Sequence, residues 1–144
     1  MMRAMETKPE QPRVLVIYDE KGLRDMLTYV LSRHGYGVVV AATGEVALEK
    51  LGRQDFDVAL CDVMMPGIDG IEVLRRAKEL SPRTAVIMVT GHPTMEAAAE
   101  AARLGAFDYI SKPYDLDRIF LLLNRALQWS RSSQATEADH ARGD

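Results

Sequence analysis

The chain has 144 residues, a formal net charge of −3 and 47% apolar residues. That is enough for one domain with a hydrophobic core and short for two, and it offers no overall basic field to draw nucleic acid. The single cysteine, Cys61, excludes an internal disulfide, and no apolar run approaches the roughly 18 residues of a membrane helix.

Residues 1–12 are polar and charged and lack the apolar core of a signal peptide; they read as a flexible arm. Val14-Leu15-Val16-Ile17 is a short β-branched run, apolar on both faces, which suits a central parallel strand. Leu23, Met26, Leu27, Val30 and Leu31 then recur at helical spacing, and Gly35 stops the helix. Gly37 to Ala41 predicts a second strand, and Thr43 can cap a helix with Val46, Ala47 and Leu51 on one face and Gly52 near its end. Val58 to Cys61 predicts the third strand, in which Cys61 reads as a small buried hydrophobe. The Met64-Met65-Pro66-Gly67 loop leads to a helix with Ile71, Val73, Leu74, Ala77 and Leu80, ended by Ser81-Pro82. Ala85 to Val89 is the fourth strand, and an alanine-rich fourth helix runs from about Thr94 to Leu104, closed by Gly105. Phe107 to Ile110 is the fifth strand, and the last helix runs from Leu116 to about Trp129. Residues 130–144 have no apolar period and read as a disordered tail or linker.

Five strands alternating with five helices over short connections predict an α/β fold: a parallel sheet covered on both faces, doubly wound and flavodoxin-like, with strand order 2-1-3-4-5. One domain spans residues 13–129. Ligands of such sheets bind at the carboxyl ends of the strands. Those ends carry Tyr18-Asp19-Glu20, Asp62, Thr90-Gly91 and Ser111-Lys112-Pro113.

This set has a chemical logic. A carboxylate is a nucleophile toward a phosphoryl group, and phosphoryl transfer needs positioning and charge neutralisation above all. Mg2+ takes oxygen ligands and keeps several waters. Asp19 and Asp62 can each give it an oxygen, and the backbone carbonyl of Met64 a third. Lys112 can pair with the carboxylate at rest and with a phosphoryl oxygen afterward, and Thr90 can donate its hydroxyl to the same oxygen.

The run Val14 to Glu20, the segment Asp62-Val63-Met64-Met65-Pro66-Gly67-Ile68-Asp69-Gly70, the pair Thr90-Gly91 and the segment Phe107 to Pro113 together resemble the receiver domains of two-component response regulators. The nearest flavour is the nitrogen-regulator type, which precedes an ATPase domain. The resemblance covers about residues 13 to 128. It implies that Asp62 is the phosphoacceptor, Asp19 the direct Mg2+ ligand, Thr90 and Lys112 the phosphoryl-binding pair, and Tyr109 the aromatic that swings inward when Thr90 moves. It also implies a Lys112-Pro113 peptide that is commonly cis. The implied donor is a sensor histidine kinase or phosphotransfer protein in the cytoplasm, and the implied readout is the surface of helix 4, strand 5 and helix 5. A homodimer through helices 4 and 5 belongs to this picture. So does an effector domain or downstream protein outside the chain; direct nucleic-acid binding and membrane contact do not. Such a domain is no enzyme beyond promoting its own phosphotransfer and autodephosphorylation.

One position departs from the pattern. Receivers usually carry two adjacent acids after strand 1, and here the first is Tyr18. The first acid mainly holds metal-bound waters, and the loss of such a partner typically costs about 10- to 100-fold in metal affinity or activity. The substitution admits three readings: a weakened but working receiver, a phosphorylation-independent interaction module, or a change introduced into the chain. Of the other pocket residues, His92 and Met64 flank the mouth, where they either tune water access to the phosphoryl group or play no part. Glu20 either assists the metal through water or acts on the helix N-terminus. A flavodoxin-like electron carrier is disfavoured because Tyr18-Asp19-Glu20 would repel a flavin phosphate. A haloacid-type phosphatase is disfavoured because Met64 stands where its general acid would be.

Overall fold

The computed structural model describes residues 11–112 and 115–143, with side chains described as far as Ser133. Pro113, and with it the Lys112-Pro113 peptide, lies outside the described residues, as do residues 1–10 of the expected arm. The elements alternate along the chain: β1 (Arg13–Ile17), α1 (Lys21–Arg33), β2 (Gly37–Ala41), α2 (Gly44–Arg53), β3 (Val58–Asp62), α3 (Gly70–Leu80), β4 (Ala85–Thr90), α4 (Met95–Arg103), β5 (Asp108–Ser111) and α5 (Leu116–Gly143).

All strand pairings are parallel, in the order β2-β1-β3-β4-β5. This is the expected doubly wound order. The alternation of side chains along each strand sorts the core into two layers. On one face Val14, Val16, Tyr18, Val58, Leu60, Ile87 and Val89 pack with Leu27 and Leu31 of α1 and Ile119, Leu122, Leu123 and Ala126 of α5. On the other, Leu15, Ile17, Ala59, Cys61, Val86 and Met88 pack with α2, α3 and α4 through Ala47, Leu51, Val73, Leu74, Ala77 and Ala101. With helices on both faces the central strands are buried end to end, hence their unbroken apolar runs.

Local chemistry sets the helix ends. Thr43, Asp69 and Thr94 each accept an N–H from the third residue onward, at Val46, Glu72 and Ala97. Gly35 and Gly105, both at positive φ, follow α1 and α4.

β1 begins one residue earlier than the sequence reading, at Arg13, and β3 and β4 run one residue further, to Asp62 and Thr90; two other elements also differ. β5 is shifted one residue onward, because Ser111 still pairs with Thr90 of β4, and the ladder takes in polar ends that apolar patterning leaves out. α5 does not end near Trp129 but continues through Gly143. No proline or glycine interrupts 130–142, and its first residues are tied to the domain. Ser130 is fully buried and its hydroxyl donates to the Arg83 carbonyl at 2.7 Å. Arg131 lies 3.7 Å from the Asp57 carboxylate. Of the two readings of residues 130–144, a disordered tail or a linker, the helix running on to Gly143 departs from the first.

Candidate functional site

The carboxyl edge of the sheet gathers the expected residues at the ends of four adjacent strands, β1, β3, β4 and β5. β1 and β3 pair as far as Ile17 opposite Cys61, so the next residues, Tyr18 and Asp62, stand side by side. Asp62 is itself opposite Val89, and Thr90 is opposite Ser111. Lys112 follows immediately, its amide donating to the Thr90 carbonyl at 2.7 Å.

Asp62 is 6% exposed. One carboxylate oxygen, Oδ1, accepts from the Met64 amide at 3.2 Å, and the other, Oδ2, accepts from Lys112 Nζ at 3.1 Å. Both oxygens of a nearly buried anion are thus partnered, one by the backbone and one by a counter-charge. The Lys112 side chain is 33% exposed, so the cation reaches the site from a solvent-facing rim. The loop after β3 closes tightly behind Asp62: Gly70, the first residue of α3, donates to the Val63 carbonyl at 2.8 Å. A Cβ on Gly70 would sit 2.4 Å from the Asp62 carbonyl oxygen, so only glycine lets α3 start this close to the acid.

Thr90 is fully buried, and its hydroxyl accepts the His92 N–H at 3.0 Å. The hydroxyl hydrogen remains available for another acceptor; no hydrogen bond joins Thr90 to Asp62 among the described residues. His92 and Met64 are exposed at the rim, Met64 at 60%. Tyr109 packs on the α2–α4 face, opposite the face of Tyr18. Its hydroxyl is buried and has no hydrogen-bond partner among the described residues, an arrangement that costs about 1–3 kcal/mol. The aromatic that the resemblance has swinging inward thus already has its hydroxyl inside.

Asp19 and Glu20 are exposed on the β1–α1 loop. Glu20 is the N-cap of α1 by position, but its side chain makes no cap hydrogen bond. The sequence reading missed Arg24, whose Nη1 donates to the carbonyls of both Tyr18 and Asp19 at 2.9 Å. This clamp fixes the path of the acidic loop. An arginine in the first turn of α1 was the only signal for it. Tyr18 itself is 1% exposed and packed into the α1–α5 layer, with the Lys112 ammonium 5.7 Å from its ring centroid. Behind the site Cys61 is fully buried; burial, then the charges of Asp62 and Asp69, push its thiol pKa far up. That makes it an inert core residue, as expected.

The donor set left for a cation is Asp19, Asp62 and the Met64 carbonyl, all hard oxygens. It suits a hydrated divalent ion of the magnesium kind. No group of three His, Cys, Asp or Glu that could hold a metal ion converges among the described residues. No helix of the described residues is long and apolar enough to cross a membrane.

Known proteins are similar to this chain. The family of response regulator receiver domains matches residues 14–124. The regulatory protein AtoC of Escherichia coli K12 is 40% identical over 116 residues, covering 81% of this chain and 25% of AtoC. The DNA-binding transcriptional regulator NtrC of the same organism is 36% identical over 121 residues, covering 84% of this chain and 26% of NtrC. The chain therefore spans about a quarter of the length of these relatives, which are of the nitrogen-regulator type. Among solved structures, a response regulator from Burkholderia pseudomallei with a phosphorylated aspartic acid, calcium ion and citrate superposes with a TM-score of 0.75 at 25% identity, covering 88% of this chain and 74% of the other.

Proposed function

The chain belongs to the response regulator receiver domain family of two-component systems, and from that premise we propose that it takes a phosphoryl group from a sensor histidine kinase or phosphotransfer protein onto Asp62. The observation that carries the reading is the nearly buried Asp62 carboxylate held between the Met64 amide and the Lys112 ammonium. A carboxylate oxygen of Asp62 attacks phosphorus in line, the P–N bond of the donor phosphohistidine breaks, and its electron pair leaves on the imidazole. Lys112 passes from the carboxylate to a phosphoryl oxygen, a short step for a flexible four-carbon stem already at the rim. Thr90 donates its spare hydroxyl hydrogen to another phosphoryl oxygen. Bound Mg2+, held by Asp19, Asp62 and the Met64 carbonyl, would supply the remaining charge neutralisation. Hydrolysis of the acyl phosphate by water resets the domain.

The output is a shift in a pre-existing equilibrium. Thr90 closes the β4 end of the site, and Tyr109 lies one strand away with a buried hydroxyl that has no partner among the described residues. Recruiting Thr90 to a phosphoryl group changes the packing beside that ring, and the α4–β5–α5 surface follows. Met95 of α4 and Leu121 of α5 are large exposed apolar residues there, 88% and 48% exposed, and support a phosphorylation-dependent homodimer. An effector domain or downstream protein outside this chain receives the signal. The setting of such a phosphorelay is the cytoplasm.

Labelling by acetyl phosphate, with and without Mg2+, tests the reading. The chain is expected to label with Mg2+ and Asp62→Asn to stay unlabelled; labelling of both would remove Asp62 from its role. Tyr18 favours a second reading, an interaction module that works without phosphate. Its mark would be a chain that stays unlabelled while Tyr18→Asp labels.

A further inference from the structure

Among the described residues, the Lys112 ammonium faces two groups: the Asp62 carboxylate at 3.1 Å and the Tyr18 ring, its centroid at 5.7 Å. The two hold it differently. A lysine on a flexible stem, one-third exposed, gains little from one ion pair at the solvent edge, because water competes for its head and ordering the stem costs entropy. The ring is 1% exposed and set among the α1–α5 core residues, so it cannot follow the lysine out. A cation within about 6 Å of a ring face is drawn by the ring quadrupole.

We propose that Tyr18 is a positioning residue for Lys112: its buried ring seats the ammonium over Asp62, replacing by a neutral π face the acid that the pattern places at this position. The proposal rests on the phosphoacceptor reading for its consequence, though not for its geometry. A carboxylate at residue 18 would compete with Asp62 for the ammonium and repel an incoming phosphoryl anion. A neutral ring does neither. The site therefore trades metal-water contacts for a better-held lysine, and it leans on Lys112 for phosphoryl charge more than a site with both acids does.

The test has a readout that needs no phosphorylation. Protons on the Lys112 ε-carbon beside an aromatic ring carry a ring-current shift in NMR spectra. The shift is expected in the parent chain and in Tyr18→Phe, and its loss in Tyr18→Leu, or in Tyr18→Met should the branched residue fail to fold. Equal Lys112 shifts in the parent and the ring-less variant would overturn the proposal, whatever the chain does with phosphate. In parallel, acetyl phosphate labelling at saturating Mg2+ and limiting donor is expected to slow by about 2- to 5-fold in Tyr18→Leu and to be rescued in Tyr18→Phe, with the half-saturating Mg2+ concentration unchanged. Tyr18→Asp instead is expected to lower that Mg2+ concentration. Labelling of Tyr18→Leu at the parent rate would also overturn the positioning role. A chain that shows the ring-current shifts yet never labels would refute the phosphoacceptor reading and leave the seating of Lys112 in place.

Discussion

Two lysines lie over aromatic rings at opposite ends of the sheet, and what else they touch separates chemistry from architecture. At the carboxyl edge Lys112 lies 5.7 Å from the Tyr18 ring and gives a hydrogen bond to Asp62, a group that can change its charge. At the amino edge Lys78 lies 5.0 Å from the Trp129 ring and gives hydrogen bonds to the Pro82 and Thr84 carbonyls, both at 2.9 Å. Its acceptors are neutral and fixed. Around it the polar groups are closed off: the Thr84 hydroxyl is bound to Phe56 O and Ser81 Oγ, and Ser130 to Arg83 O. One lysine holds an anion in readiness for exchange; the other locks α3 and α5 to a turn.

The comparison breaks if the two lysines behave alike. Lys112→Met is expected to slow acetyl phosphate labelling by about 100-fold, the usual cost of removing one group that neutralises transition-state charge, and Lys78→Met to leave it within about twofold of the parent. Comparable losses in both would end the distinction. Gly70→Ala is expected to cost about 3 kcal/mol in urea unfolding, because the new Cβ collides with backbone at Asp62 and Val63; an unperturbed midpoint would show that α3 is free to shift. Thr84→Val is expected to cost about 1–2 kcal/mol with labelling unaffected, since it strips hydrogen bonds only from the amino edge.

The smallest effect is a pH slope. Burial lowers the Lys78 pKa, so the folded chain releases this proton at a lower pH than the unfolded chain does. Between that lowered value and the ordinary lysine value near about 10.4 the unfolded state binds more protons, and stability rises with pH. Unfolding free energies of the parent and Lys78→Met across the alkaline range are expected to differ in slope in that sense. Parallel curves would mean the Lys78 proton is not linked to folding.

Much of this was legible in the sequence. Apolar runs such as Val14 to Ile17 give strands because both faces of the sheet are covered, and the cap at Thr43 marks a helix start by hydrogen-bonding chemistry alone. That Asp62, Thr90 and Lys112 come to one edge was legible because a parallel sheet brings strand ends together. The side-chain environment of Tyr18 was not. A residue after a strand points into the core or the cleft according to the loop path, and that path is fixed by Arg24 across five and six residues. Likewise the continuation of α5 depends on contacts of Ser130 and Arg131 with distant loops, which leave no period in a serine-rich stretch.

The central claim, that Asp62 is the acyl-phosphate site, is tested most directly by treating the acetyl phosphate-labelled chain with borohydride, which reduces an aspartyl phosphate to homoserine, and mapping the peptides. The account predicts homoserine at residue 62 and nowhere else. Homoserine at Asp19, Asp57 or Asp69, or an unreduced chain after labelling, would contradict it.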